Sequence, residues 1–169
     1  MALARTILPL LLVLAALAPA AWSQPGGSPR IDELSFLDRQ YMQQQRATIE
    51  DLARANFGAG FSGDKDHDLA LLQRLLDERI VRDDQTRELQ AMGLIMGDLL
   101  AEDLGMHWVI YEDNLGRSRA LRYRESDNYL FPMTMISRRR EAGNQRPVAE
   151  IYQKAVAAID EVRTPLPFQ

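Results

Sequence analysis

Apolar side chains recur every three or four residues beyond residue 34, a spacing that is typical of helices. Ser35 is followed three residues later by Asp38, which resembles a capping box with a short carboxylate in place of the usual glutamate. Apolar residues continue at helical spacing after it, so a first helix is predicted near residues 36–56. The glycine-containing stretch 56–63 ends this helix.

Two further helices are predicted before residue 106. Asp66 or Asp68 can cap the first of them, whose leucine-rich face runs to about Ile80. The other begins near Asp83, where acidic groups favour a helix start, and its long apolar series ends at Gly105, a residue suited to a left-handed stop. This third helix is expected to be the longest buried one.

The spacing of apolar side chains changes from helical to alternating after residue 105. Residues 107–111 are rich in β-branched and aromatic side chains and predict a strand, and residues 119–124 and 129–136 are predicted as two further strands. Pro132 lacks an amide hydrogen, so the third strand is expected to be an edge strand or to carry a bulge. A last helix is predicted from Pro147. The expected fold class is α+β, with N-terminal helices packed on a three-stranded antiparallel meander and a C-terminal helix.

Small residues recur every four positions along the third helix, at Gly93, Gly97 and Ala101. In a membrane this spacing is typical of a dimerising helix, but acidic residues interrupt the run. Close packing against a sheet or a neighbouring helix is the main interpretation. Self-association of the protein through this face is the alternative.

The first twenty-three residues have the layout of a secretory signal peptide. Arg5 precedes an apolar run, and small side chains near Ser23 fit the peptidase subsites before Gln24. The alternative is a retained membrane anchor, but the apolar stretch from Ile7 to Trp22 has sixteen residues and two prolines, whereas spanning a bilayer takes about 20 residues. Cleavage after Ser23 and export to the periplasm are predicted, and no stable membrane anchor is expected after cleavage.

Composition divides the chain into four parts. Residues 1–23 are the expected signal peptide, 24–33 a flexible leader, 34–163 a single α+β domain and 164–169 a tail. The 146 residues after the cleavage point are enough to bury one core. Cysteine is absent from the sequence, so no disulfide supports that core.

Charge is spread unevenly along the chain. Residues 31–105 hold sixteen acidic and eight basic side chains, whereas residues 106–146 hold five acidic and eight basic ones. The net charge of −4 gives no support for nucleic-acid binding. The basic part could steer an acidic partner, while ion pairs with the acidic part are the ordinary alternative.

Arginines are concentrated in that basic part. Arg119 and Arg122 lie on the predicted second strand, Arg117 lies just before it, and Arg139 lies in an arginine triplet after the third strand. Guanidinium groups suit phosphate, carboxylate or anionic glycan. Because strand side chains alternate, Arg117 and Arg119 are expected on one face and Arg122 on the other. These four arginines are candidate binding residues for an anion or a partner.

No catalytic residue is predicted. His107 and Trp108 begin the first strand and join the candidate binding residues, but His67 is far away in sequence and no paired spacing suits zinc. No serine has a base beside it in sequence. The alternative is a cell-envelope hydrolase that gathers carboxylates such as Glu102 and Asp113 around His107.

Two motifs resemble ligand sites but lack the required context. Gly58 to Gly63 matches G-x-G-x-x-G, yet a helix leads into it where a dinucleotide site needs a strand. Asp64, Asp66 and Asp68 alternate as in the first half of a calcium loop, but leucines replace the required glycine and glutamate in its second half. Helix capping explains these carboxylates, with a weak cation site as the alternative. No metal site and no cofactor are predicted.

The stretch from Leu72 to Pro147 resembles a family of exported bacterial proteins known as domain of unknown function 3806. The residues that carry the resemblance are Leu75-Leu76-Asp77, Leu89-Gln90-x-Met92-Gly93, Gly97-Asp98, Gly105-x-His107-Trp108-Val109, Asp113-x-x-Gly116-Arg117, Ala120-Leu121-Arg122 and Phe131-Pro132-x-Thr134-Met135-Ile136-Ser137-x-Arg139. The resemblance implies a shared helix-and-sheet domain. It implies no activity, substrate or catalytic residue.

Export, a core without disulfides and the lack of an acid–base or metal constellation together favour a non-catalytic binding or interaction module. Its partner is expected to be a protein or an anionic ligand. The oligomeric state is left open by the sequence.

Overall fold

The computed structural model describes residues 28–163. The strands in this range are β1 (Arg30–Glu33), β2 (Met106–Asp113), β3 (Gly116–Tyr123) and β4 (Tyr129–Leu130). The helices are α1 (Phe36–Phe57), α2 (Lys65–Asp77), α3 (Thr86–Leu104), α4 (Pro132–Glu141) and α5 (Val148–Arg163). The expected signal peptide, the first part of the leader and the C-terminal tail lie outside the described residues.

Helix α1 begins where its capping box predicts. The Asp38 amide donates to Ser35 Oγ at 3.1 Å, and the Ser35 amide donates to the Asp38 carboxylate at 3.2 Å, so both halves of the box are formed. Gly58 then adopts a left-handed conformation with φ of 62° and ends the helix. The first predicted helix is confirmed.

Helices α2 and α3 agree with the prediction in kind and differ at their first residues. Asp64 is the N-cap of α2, where its side chain accepts from the His67 amide at 2.8 Å, so Asp66 and Asp68 are not the capping residues. Helix α3 begins at Thr86, later than the acidic start near Asp83. It ends as predicted, before a left-handed glycine.

The sheet contains four antiparallel strands in the order β1-β2-β3-β4, one more than predicted, and the α+β class is confirmed. The additional strand is β1, so the expectation of a flexible leader is wrong for residues 30–33. Its register places Ile31 opposite Tyr111, and Arg30 donates to Glu112 at 2.6 Å. A short strand held by partners about eighty positions away leaves no local periodic signal.

The predicted third strand, residues 129–136, is mostly wrong. Strand β4 contains two residues, and the chain turns at Phe131 into α4. Pro132 is the first residue of that helix. Amide hydrogens in the first turn of a helix have no partner within the helix, so the hydrogen that proline lacks is not needed there. The proline ring also holds φ near the helical value. The lack of an amide hydrogen at Pro132, which predicted a strand edge or a bulge, is therefore also compatible with the first turn of a helix.

Helix α3 lies at the centre of the core, and every residue from Ala91 to Gly97 is buried. Gly93 and Gly97 allow close approach on one side. A Cβ atom at Gly93 would lie 2.8 Å from Met133 Cα, and one at Gly97 would lie 2.5 Å from the Trp108 ring. The small-residue stripe therefore packs against α4 and β2, as the main interpretation predicted, and this covered face is not free for self-association. Within residues 28–163, no helix has the length and apolar character needed to cross a bilayer.

Candidate functional site

A cleft opens between β3 and α4, on the side of β3 that β4 leaves largely uncovered. Strand β4 pairs only with Leu121 and Arg122, so residues 116–120 have no neighbouring strand on that side within the described chain. The cleft has a volume of about 530 Å³, within the range of about 300–1,000 Å³ found for ligand sites. We term it the edge cleft. Its lining residues are Tyr41, Gln90, Tyr111, Asp113, Leu115, Gly116, Arg117, Ser118, Arg119, Phe131, Met133, Thr134 and Arg138.

Two arginines of β3 converge on one buried carboxylate beside the edge cleft. Arg117 donates to both oxygens of Asp38, at 2.7 and 3.0 Å, and Arg119 donates to Asp38 Oδ1 at 2.8 Å. Asp38 is only 3% exposed. The same carboxylate caps α1, so the helix start and the arginine pair are held by one side chain.

The electrostatics of this group favour the charged form of Asp38. The hydrogen bonds from Arg117 hold the pKa of that carboxyl well below its usual range, burial opposes the shift, and the hydrogen bonds from Ser35 add to it. The carboxylate in turn raises the pKa of Arg117. The Asp38 carboxylate is therefore the ion-pair partner of both arginines, and the carboxylates of Glu112 and Asp32 also favour the charged form of Arg117.

Arg119 is held against an aromatic ring and keeps an unused donor. Its guanidinium carbon lies 4.3 Å from the centre of the Tyr41 ring, a cation–π arrangement. The Arg119 Nε atom is buried and has no hydrogen-bond partner among residues 28–163.

Arg138 adds a third positive charge to the edge cleft. It is exposed in the last turn of α4, and no carboxylate within residues 28–163 pairs with it. Asp113 is the acidic residue in the lining of the cleft, and its carboxylate accepts from the Leu115 amide at 2.8 Å in the turn between β2 and β3. The lining of the cleft thus contains three arginines and one acidic residue, and Asp38, Glu112 and Asp32 act on Arg117 from beside the cleft. A lining rich in arginine favours an anionic group.

The other side of the edge cleft is aromatic. The Tyr111 ring lies edge-on to Phe131 with 5.3 Å between ring centres, and edge-on to Tyr129 at 5.0 Å. Ser118 and Ala120 are small residues on the same face of β3, which lets the two tyrosine rings meet across that strand. The cleft thus has a cationic side and an aromatic side.

The structure brings together only part of the predicted binding set. Arg117 and Arg119 lie on one face of β3, as alternation predicts, and both line the edge cleft. Arg122 lies on the other face and is occupied by Glu125 and by the Ser126 carbonyl. Arg139 donates to the Met135 carbonyl within α4. Neither Arg122 nor Arg139 lines the edge cleft.

His107 and Trp108 also lie away from the edge cleft, near the start of β2. His107 is exposed. Trp108 packs against Gly97, and its indole nitrogen donates to Asp98 Oδ1 at 3.0 Å. Arg46 of α1 donates to the same carboxylate at 2.5 and 2.7 Å. Trp108 therefore helps to join β2, α3 and α1.

The glycine motif and the alternating aspartates form one connected loop. The amides of Ser62 and Gly63 donate to the buried Asp68 carboxylate at 2.9 and 2.8 Å, and the Phe61 amide donates to Glu50 at 3.0 Å. These amides are thus occupied by carboxylates of the chain and are not directed at a phosphate. Asp64 and Asp68 are used in capping and loop closure. Within residues 28–163, no three His, Cys, Asp or Glu side chains form a cluster suited to a metal ion.

The carboxylates named for the hydrolase alternative are dispersed. Asp113 lines the edge cleft, whereas Glu102 lines a second cleft of about 410 Å³ between α1 and α3. Asp103 accepts from the Tyr152 hydroxyl at 2.8 Å. His107 lines neither of these two clefts.

Sequence reasoning missed most of the edge cleft. The sequence predicts Asp38 only as a capping residue, and it gives no signal that Tyr41, Gln90, Tyr111 and Phe131 line a cleft. Thr134 and Arg138 are one helical turn apart on α4, a relationship that a strand prediction for residues 129–136 concealed. A reading of Pro132 as a helix start would have revealed it.

The fold and the cleft define a small α+β domain with an arginine-lined cleft at the edge of its sheet. The chain belongs to the family described as Domain of unknown function (DUF3806), whose family model matches residues 68–152, about half of the chain. The resemblance seen in the sequence is thereby confirmed. The matched range includes β3 and α4 but not Asp38 or Tyr41. No curated protein matches the chain.

A solved structure shows the same fold. It is a crystal structure of a protein from Bacteroides thetaiotaomicron VPI-5482, with a TM-score of 0.69 and 19% sequence identity. The similarity covers 78% of this chain and 48% of that one, so this chain spans about half the length of the solved protein. At this identity the similarity concerns the fold alone.

Proposed function

We propose that this protein is an exported, non-catalytic binding module whose edge cleft holds an anionic group of a ligand or partner protein. The observation that carries the proposal is that three arginines and one acidic residue line the cleft. Arg117 and Arg119 share the single carboxylate of Asp38, and Arg138 has no acidic partner among residues 28–163. Fixed guanidinium groups with unused donors suit carboxylate or phosphate oxygens.

The aromatic side of the cleft supports a ligand with apolar as well as anionic parts. Tyr111 and Phe131 offer ring edges and faces next to the arginines. Ligand sites commonly combine an apolar lining with a few convergent polar groups. The proposal places the protein in the periplasm because of the signal-peptide layout of the first twenty-three residues.

The proposal is tested by titrating the mature protein with N-acetylglutamate amide, followed by amide NMR. The amides of Arg119 and Thr134 are expected to shift. The uncharged glutamine analogue is expected to produce no saturable shift. Arg138→Gln should weaken binding by about tenfold, the equivalent of one lost charge-assisted hydrogen bond.

Lys154→Gln is the matched control, because Lys154 is an exposed cation on α5 that does not line the edge cleft. It should bind like the unaltered protein. Shifts that are absent at tens of millimolar ligand, or that are equal for both variants, would overturn the proposal.

A further inference from the structure

Four consecutive residues of β3, Gly116–Arg119, line the edge cleft. Side chains alternate between the two faces of a strand, so a cleft on one face contacts every second residue. A cleft that contacts four residues in succession runs along the edge of the strand, where the main chain of each residue is within reach. The edge cleft is therefore a slot beside the main chain of β3.

Main-chain groups of alternate β3 residues point into this slot. The Tyr123 amide donates to the Asn128 carbonyl at 3.0 Å on the β4 side, and Leu121 is paired with Leu130. Successive residues of an inner antiparallel strand direct their main-chain groups to opposite neighbours. Arg119 and Arg117 are the next two residues in this alternation after Tyr123 and Leu121, and they lie beyond the end of β4. Their amide and carbonyl groups therefore face no strand within residues 28–163.

The slot suits a single extended segment better than the edge of another sheet. Phe131, Met133 and Thr134 line the same cleft from the α4 side, which bounds the space next to β3. A second copy that paired its own β3 here would also bring Arg117 and Arg119 close to their counterparts. Like charges opposite one another disfavour such pairing.

The two sides of the slot differ in chemistry. Arg117 and Arg119 lie on one face of β3, whereas Ser118, which is opposite Tyr111, lies on the other. An extended peptide alternates its side chains in the same way. Acidic side chains would meet the arginines, and the apolar side chains between them would meet Tyr111 and Phe131.

We propose that the edge cleft binds an extended peptide as an added strand along residues 116–120 of β3. The peptide carries acidic side chains toward Arg117 and Arg119, and apolar side chains toward the aromatic side. In this mode main-chain hydrogen bonds supply affinity, and alternate side chains supply specificity. The inference rests on the proposed function and identifies the anionic group as peptide carboxylates.

The test uses the mature protein and a fluorescein-labelled, capped peptide of eight residues in which glutamate and valine alternate. Two derivatives carry N-methyl groups on the amides of either the glutamates or the valines. An added strand bonds to β3 through every second residue, so one derivative should lose at least tenfold in affinity and the other should stay within threefold. A peptide of the same composition with glutamates and valines in separate blocks should bind at least tenfold more weakly.

Amide hydrogen exchange provides a second measurement that needs no protein variant. The alternating peptide should slow exchange at the Arg119 amide at least tenfold, whereas N-acetylglutamate amide should leave it unchanged. Equal affinity of both methylated derivatives and the parent, or equal loss in both, would refute strand addition.

The failures of the two proposals are distinguishable. If N-acetylglutamate amide binds and the peptide does not, strand addition is wrong and the anion site stands. If neither ligand binds, both proposals are wrong. If the Arg119 amide becomes protected as protein concentration rises without peptide, a second copy occupies the edge and the peptide proposal is overturned.

Discussion

Asp38, at the start of α1, accepts hydrogen bonds from both terminal nitrogens of Arg117 on β3, at 2.7 and 3.0 Å, across 79 positions of sequence. The carboxylate that completes the capping box therefore also anchors the cationic side of the edge cleft. Local helix formation and the geometry of the candidate site depend on the same side chain.

Asp38→Asn is expected to lower the free energy of unfolding by about 2–4 kcal/mol at pH 7, because it removes the carboxylate that completes the capping box and that both Arg117 and Arg119 use as their ion-pair partner. Urea unfolding followed by circular dichroism measures the change. Asp51→Asn is the control, since Asp51 is an exposed carboxylate on the same helix. Equal effects of the two substitutions would contradict this role of Asp38.

The stability of the protein is expected to fall in acid partly through Asp38. Arg117 lowers the pKa of Asp38 in the folded state, so the contribution of this carboxylate is complete above its unfolded pKa of about 3.9 and is lost as the pH falls toward the lower folded value. The free energy of unfolding should therefore decrease below about pH 4–5, and it should decrease less steeply in Asp38→Asn. Parallel pH profiles for the two proteins would argue against this assignment.

Gly93→Ala and Gly97→Ala are each expected to destabilise the protein by about 3 kcal/mol or more, because the added methyl group meets main-chain atoms of α4 or the Trp108 ring. Thermal unfolding measures the effect. Gly60→Ala is the control, because its methyl group would meet side-chain atoms of Glu50 and Arg54 and no main-chain atom. A small effect at Gly93 would mean that α4 is not packed on α3 as described.

Trp108→Phe is expected to cost about 1–2 kcal/mol of stability, since the Asp98 carboxylate loses one of its donors. Tyr123→Phe provides the comparison, because the buried Tyr123 side chain on the adjacent strand makes no hydrogen bond within residues 28–163. Chemical denaturation of both variants checks the difference. A cost for Tyr123→Phe as large as that for Trp108→Phe would remove the argument for the indole hydrogen bond.

If the protein is exported, cleavage of the signal peptide should leave a defined amino terminus. When the full chain is expressed in a Gram-negative host, the protein in the periplasmic fraction is expected to begin at Gln24, as measured by intact-mass spectrometry. Replacement of Leu11 and Leu12 by arginine should abolish export by interrupting the apolar run. An uncleaved chain in the membrane fraction would favour the retained anchor instead.

Elements defined by neighbouring residues were predicted well from the sequence. The capping box at Ser35 and Asp38 and the left-handed stop at Gly105 act within one turn of a helix, so a local pattern reveals them. Strand β1 and the start of α4 at Pro132 were assigned wrongly. A four-residue strand has no period of its own, and proline suits both a strand edge and a first helical turn.

The sequence by itself determined the capping box of α1, the left-handed stop of α3, the apolar faces and the placement of Arg117 and Arg119 on one side of β3, because these follow from spacing along a single element. Only the tertiary structure decided that Asp38 meets both arginines and that Arg138 lies in the same cleft. It also decided that the two-residue β4 leaves the edge of β3 open. These relationships join residues many positions apart, and they depend on how elements pack against one another and not on the period within any one of them.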